Sequence, residues 1–152
     1  VFTAVASFLI PGTWFRSVDV WLRCFQVPIK MRFTVIIPVY NTATHLRQCL
    51  AALLALDSPK DEYEILMVEN NSTDMSPKIL RSAVGIRALH EAKQGSYAAR
   101  NRALREARGE FLAFTDSDCI PDPGWLRAIE KSFEDPQVQV FLGPGGRRTT
   151  WD

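Results

Sequence analysis

From Phe33 onward, short continuous apolar runs alternate with longer stretches in which apolar residues return every three or four positions. Runs of the first kind suit strands buried on both faces, and stretches of the second kind suit amphipathic helices. Residues 33–39 are a β-branched run ended by Tyr40-Asn41, which predicts a first strand. Leu46, Leu50, Leu53 and Leu54 then predict a helix with one apolar stripe, and Ser58-Pro59 lies just past its end. A second strand is predicted over 64–68, followed by the polar turn Glu69-Asn70-Asn71-Ser72-Thr73-Asp74, which can cap a helix carrying Ile79 and Leu80. A short third strand is predicted over 86–89. The helix predicted over 96–108 contains Ala98, Ala99, Ala103, Leu104 and Ala107, with Gly109 in the position of a C′ glycine. Residues 111–115 predict strand four. Pro123 then opens a helix continued by Leu126, Ile129 and Phe133, and 138–142 predicts a fifth strand.

Strands alternating with helices of this length imply right-handed crossovers. The predicted fold class is therefore α/β, a Rossmann-like, mostly parallel sheet with helices on both faces. Its 152 residues suit one domain. That domain is predicted over 31–152 and is expected to be incomplete, truncated at its C-terminal end. Residues 1–30 are predicted to be an N-terminal extension or residual apolar segment: the apolar run over 1–15 is broken by Pro11-Gly12 and is shorter than the roughly 20 residues a membrane span needs. That run also fits the tail of a longer span, and Met31 offers a start just before the first strand.

Charge changes the picture by what it excludes. With 18 Lys and Arg against 17 Asp and Glu, the overall field gives no reason to expect a nucleic-acid partner, so binding must come from a local site. Cys24, Cys49 and Cys119 are odd in number and widely spaced, which fits reduced thiols in a cytosolic setting rather than a disulfide framework or a zinc site. Asn70 and Asn71 each begin an N-x-[ST] triplet, read here as a polar loop. His45 and His90 show no ligand spacing.

Open parallel sheets bind ligands at the carboxyl ends of their strands. Tyr40-Asn41, Glu69-Asn70-Asn71 and Asp116-Ser117-Asp118 follow strands one, two and four, so all three clusters are expected on one edge. Two carboxylates one residue apart can share a divalent cation, Mn²⁺ or Mg²⁺, that keeps open positions for phosphate oxygens. The alternative for an isolated D-x-D is an ordinary turn capped by Asp116. No P-loop or dinucleotide-binding glycine fingerprint is present, and Gly143-Pro144-Gly145-Gly146 reads as a turn.

Four segments in order resemble the family 2 glycosyltransferases of GT-A fold: Val35-Ile36-Ile37-Pro38-Val39-Tyr40-Asn41, Val68-Glu69-Asn70-Asn71-Ser72-Thr73-Asp74, Gly95-Ser96-Tyr97-Ala98-Ala99-Arg100-Asn101, and Gly109-Glu110-Phe111-Leu112-Ala113-Phe114-Thr115-Asp116-Ser117-Asp118. The resemblance covers roughly residues 33–145. It implies that Pro38, Val39 and Tyr40 line a base and ribose pocket and that Glu69 or Asn70 meets the base. It further implies that Arg100 and Asn101 lie near the diphosphate or ribose, that Asp116 contacts the nucleotide sugar, and that Asp116 and Asp118 hold the metal. This chain departs from the family in having Glu69 and Asn70 where Asp is frequent. Arg100, Arg102, Arg105 and Arg108 also fit a solvated helix face, the reading favoured for the last two.

The implied activity is inverting transfer from a nucleotide-diphosphate sugar, a UDP-sugar above all, to a hydroxyl of a glycan, lipid or protein acceptor. The implied location is the cytoplasm, including the inner face of the membrane through peripheral association. The family's catalytic base is expected beyond Asp152, and neither Asp122 nor Asp135 matches its position. The alternative is a catalytically silent nucleotide-sugar-binding fragment or module. A sugar-nucleotide pyrophosphorylase would need a glycine-rich loop after strand one, and Tyr40-Asn41-Thr42-Ala43 is not one.

Overall fold

The structure, a computed structural model, describes residues 31–134. Residues 1–30 with Cys24, the strand predicted over 138–142 and the glycine turn after it lie outside the described residues. The element order is β1 (Phe33–Val39), α1 (Ala43–Leu54), β2 (Tyr63–Glu69), α2 (Ser76–Ser82), β3 (Arg87–His90), α3 (Ser96–Leu104), β4 (Phe111–Phe114) and α4 (Trp125–Ser132). Every strand pair is parallel, in the order β3-β2-β1-β4. The predicted α/β sheet is thus present. Strand order reverses at β1, which has β2 on one side and β4 on the other, and that switch point is where a crevice opens at the carboxyl edge.

Side chains alternate across a strand, so the apolar run of β1 feeds two cores. Phe33, Val35, Ile37 and Val39 join Ile65 and Met67 of β2 under α1, α2 and α4, whose contributions include Leu46, Leu50, Leu53, Ile79, Leu80, Leu126 and Ile129. On the other face Ile36, Leu66 and Val68 meet Ala99 and Ala103 of α3. The small alanines let α3 lie close to the sheet. Phe111 stacks on Phe133 with centroids 4.9 Å apart and lies 5.4 Å from Phe33, which ties the end of α4 to the starts of β1 and β4.

Local expectations needed correction in four places. Leu54 is 40% exposed, because one step beyond Leu53 turns it about 100° out of the stripe. Pro123 lies in the turn before α4, not in its first turn. The predicted strand ends move by a residue at β2, β3 and β4. Most consequentially, α3 ends at Leu104, not near Arg108, so Gly109 is not its C′ residue.

Gly109 is required for another reason: a Cβ there would lie 2.4 Å from the backbone carbon of Phe33 and the backbone nitrogen of Thr34. The segment leaves the helix because its amides find buried acceptors. Gly109 N donates to Thr34 Oγ1 at 2.8 Å, and Arg108 N to Glu64 Oε1 at 2.8 Å. Glu64 also accepts from Thr34 Oγ1 at 2.9 Å and from Arg87 Nη1 at 2.6 Å, and Arg87 bonds the carbonyl of Glu106 at 3.1 Å. This network pins β1, β2, β3 and the start of β4 at the amino edge of the sheet. Burial alone would raise the Glu64 pKa, but the bonds from Arg87, Thr34 and Arg108, with the Arg87 charge, outweigh it and hold the carboxyl below its usual value.

Candidate functional site

At the carboxyl edge, the loop after β1 and the loop after β2 are laced together. The amides of Asn41, Thr42 and Ala43 donate to Ser72 Oγ, Ser76 Oγ and Asp74 Oδ2 at 3.1, 3.1 and 2.9 Å. In return Asn41 Oδ1 accepts from Thr73 N at 2.8 Å. Asp74 Oδ1 accepts from Ser76 N at 2.8 Å, so one carboxylate takes the first amides of two helices. Asn41 and Asn71 both take left-handed backbone, with φ of 49° and 62°, a region that asparagine tolerates better than branched residues. The N-S-T-D stretch is therefore a clasp that fixes where β1 releases Tyr40.

Asn70 is 2% exposed and spends its amide on the neighbouring loop. Its Nδ2 donates to the carbonyls of Glu91 and Lys93 at 2.8 and 2.7 Å, and its Oδ1 accepts from Gly95 N at 2.7 Å. A glycan could not reach this side chain, in keeping with its reading as part of a loop. Gly95, with φ of 129°, then starts α3 in a conformation that side-chain-bearing residues rarely adopt.

These loops enclose a cleft of about 380 Å³. Pro38, Val39, Tyr40 and Thr42 line it from β1 and the loop that follows. Asn70, Gln94, Gly95 and Ser96 line it from the β2 and β3 side, and Asp116, Ser117 and Asp118 from beyond β4. Of the residues singled out from sequence, Pro38, Val39, Tyr40, Asn70, Asp116 and Asp118 are brought together here. Arg100 reaches the group through Asp116, its Nη2 lying 2.6 Å from Oδ1.

Glu69 and Asn101 are not among the lining residues. The Glu69 carboxylate accepts from Ser72 N at 2.5 Å and lies 2.7 Å from His90 Nδ1. Burial would raise its pKa, but the bonds from Ser72 and His90 hold it below the usual value. Glu69 ends β2 on the face of Met67, and its carboxylate is taken up by Ser72 and His90, whereas Asn70, just past the strand, is turned to the loop over residues 91–95. Arg105 and Arg108 are exposed, and Arg102 pairs with Glu106 at 3.2 Å.

Thr42, Gln94, Gly95, Ser96 and Ser117 line the cleft without having been marked as site residues from sequence. Gly95 and Ser96 stood within a quoted motif and Gln94 directly before it. The Thr42 hydroxyl is buried and lacks a hydrogen-bond partner.

Chemically, the cleft offers two carboxylates at one end and a loop-built pocket at the other. Among the described residues no cluster of three or more His, Cys, Asp or Glu side chains could cage a metal. Asp116 and Asp118 carry the hard oxygen donors that Mg²⁺ or Mn²⁺ would take, with further positions left to phosphate oxygens and water. The Cys49 thiol, pushed up to about 12 by burial and by nearby Cys119 and Asp118, stays protonated, and its Sγ lies 3.8 Å from the carbonyl oxygen of Asp116 as a weak donor. Cys49 and Cys119 are free thiols. No helix among the described residues is long and apolar enough to cross a membrane.

Comparison with known proteins gives the same direction. The sequence profile of Glycosyl transferase family 2 matches residues 34–149. The chain is 41% identical over 115 residues to glycosyltransferase AglE of Haloferax volcanii, a match covering 72% of this chain and 38% of that protein. It is 37% identical over 117 residues to the poly(ribitol-phosphate) beta-N-acetylglucosaminyltransferase TarS of Staphylococcus aureus, covering 74% of this chain and 20% of TarS. Among solved structures, TarS 1-349 in complex with UDP-GlcNAc superposes with a TM-score of 0.61 at 30% identity, over 69% of this chain and 32% of that one. Mannosyltransferase PcManGT of Pyrobaculum calidifontis, in complex with GDP-Man and Mn²⁺, superposes with a TM-score of 0.65 at 33% identity, over 70% and 33%. The chain thus spans less than two fifths of the length of these relatives.

Proposed function

The chain belongs to glycosyl transferase family 2, and from that premise we propose that its cleft binds a nucleoside-diphosphate sugar, preferably a UDP-sugar, together with a divalent cation. The observation that carries this reading is the convergence of Tyr40, Asn70, Gly95-Ser96 and Asp116-Ser117-Asp118 on one cleft at the switch point of the sheet. A direction for the ligand follows from this reading. The diphosphate belongs at the β4 end, beside Asp116 and Asp118, and the nucleoside extends across β1 toward the β2 and β3 loops. UDP-GlcNAc and GDP-Man in the superposed relatives support a donor of this class.

Asp116 and Asp118 would hold the cation, and Asp116 would also meet the ribose side of the donor. A cation there supplies electrostatic stabilisation to the departing diphosphate. Pro38 and Val39 give an apolar floor, and Tyr40, 51% exposed at the mouth, offers a ring edge or face to the nucleoside. The transfer itself, inverting and directed to a glycan, lipid or protein hydroxyl, is proposed for the protein in which this cleft works. Its general base is assigned to no described residue.

For the base, the loop that Asn70 holds through Glu91, Lys93 and Gly95 is favoured over Glu69, which is turned to Ser72 and His90. Changing Glu69 to Gln should therefore leave the ratio of UDP to ADP affinity within about twofold, while Asn70→Ala, which releases the 91–95 loop, should lower UDP affinity about tenfold or more. Equilibrium binding of the two nucleotides to each variant checks this. A collapse of the UDP preference in the Glu69 variant alone would return the base contact to that carboxylate. The donor reading is tested by the release of UDP or GDP from a panel of sugar nucleotides offered with acceptors, using Asp116→Ala/Asp118→Ala protein as the blank.

A further inference from the structure

The ion pair between Arg100 and Asp116 stands inside the cation site itself. Asp116 is 60% exposed and faces the cleft, Arg100 only 28%, and the guanidinium is delivered from the first turns of α3. An arginine here opposes a cation in two ways: it engages a carboxylate oxygen the ion would use, and it places a positive charge within a few ångströms of a second one. The same planar fork is suited to phosphate oxygens. A nucleoside diphosphate entering beside Asp116 therefore offers Arg100 a more highly charged partner, and frees Asp116 for the metal.

Resting on the donor reading above, we propose that Arg100 couples cation binding to donor binding: it guards Asp116 in the empty cleft and is transferred to the diphosphate when metal and nucleotide enter together. The coupling is reciprocal, as any equilibrium linkage must be. Cation alone binds weakly, diphosphate alone binds weakly, and each raises the affinity for the other. The geometry sets the sign of every substitution. Removing the Arg100 charge strengthens binding of the bare ion and weakens binding of the nucleotide, whereas an arginine that merely supported the fold would weaken both.

The experiment uses Mn²⁺ alone, UDP alone, and UDP with saturating Mn²⁺, titrated into the chain and into Arg100→Gln and Arg100→Lys variants, with binding read by calorimetry and free Mn²⁺ by its paramagnetic resonance signal. A unit charge about 5 Å from a divalent ion, with the loss of one exposed ion pair, corresponds to about tenfold in affinity even at the dielectric of water. Arg100→Gln should therefore bind Mn²⁺ alone about tenfold more tightly than the parent and UDP with Mn²⁺ about tenfold more weakly. Arg100→Lys keeps the charge and should leave Mn²⁺ alone as weak as in the parent. Unchanged or weakened Mn²⁺ binding in Arg100→Gln, with UDP binding by the parent intact, overturns the coupling and leaves the donor reading standing. Failure of the parent to bind UDP under any condition overturns the donor reading instead.

Discussion

Replacing Gly109 by alanine should cost the fold about 3 kcal/mol, at the upper end of what overpacking does, and lower the melting temperature by about 10 °C. The added Cβ meets backbone atoms of Phe33 and Thr34, not the far end of a side chain, so no rotamer change can make room. The start of β4 would have to withdraw from β1. That movement breaks the bond from Gly109 N to Thr34 Oγ1 and disturbs the pairing of Phe33 with Phe111. Since the far end of β4 carries Asp116 and Asp118, a shift in its seating should reach the cleft, so nucleotide affinity should fall along with stability. Thermal unfolding followed by circular dichroism gives the first number; a melting temperature within about 2 °C of the parent would mean that the close approach is relieved at little cost.

A second large effect is expected at the amino edge. Glu64→Ala removes the buried carboxylate shared by Arg87, Thr34 and the Arg108 amide and should destabilise by about 3 kcal/mol, toward the low end for a broken buried pair because Arg87 is 29% exposed and keeps Glu106, and the Arg108 amide keeps Thr34 Oγ1 at 3.2 Å. The sign of the pH dependence follows from the lowered pKa of this carboxyl. Its contribution is fully present above the unfolded-state value, near 4.5, and is lost as pH falls through the lower folded-state value. Stability of the parent should accordingly decline on acidification below about pH 4.5, and the decline should be shallower in Glu64→Gln, which cannot titrate. Parallel curves for the two proteins would assign the acid sensitivity to other carboxylates.

The sheet was legible in the sequence because its signals are local. β1 is seven residues of which six are buried, and a run so apolar has few places to go except the middle of a parallel sheet. The α1 stripe followed from spacing alone. Gly109 matches a C′ glycine by its sequence position, after an alanine-rich helical run, while its actual constraint comes from Phe33 and Thr34, more than seventy residues away. The end of α3 is hidden from the local sequence for the same reason, since the acceptors that draw Arg108 and Gly109 out of the helix sit on β1 and β2.

At the cleft, the three polar strand ends share one edge as expected, but the sequence does not say which residue of each pair looks inward. Val39, the register partner of Glu69, lines the cleft, so the face alone does not decide; Glu69 is turned to Ser72 and His90, while Asn70 is drawn to the loop over residues 91–95 that forms one wall. Gln94 and Thr42 carried no signal of their own. They line the site because Asn70 holds one loop and Ser76 the other.

The central claim, a nucleoside diphosphate held through a cation between Asp116 and Asp118, is tested most directly by titrating UDP into the chain with Mn²⁺ and again in excess chelator. The expected result is saturable binding with Mn²⁺ that weakens about tenfold or more in chelator, with Asp118→Ala reproducing the weakened curve whether or not Mn²⁺ is present. Equal UDP affinity with Mn²⁺ and with chelator, or an Asp118→Ala variant that keeps the full Mn²⁺ effect, would contradict it.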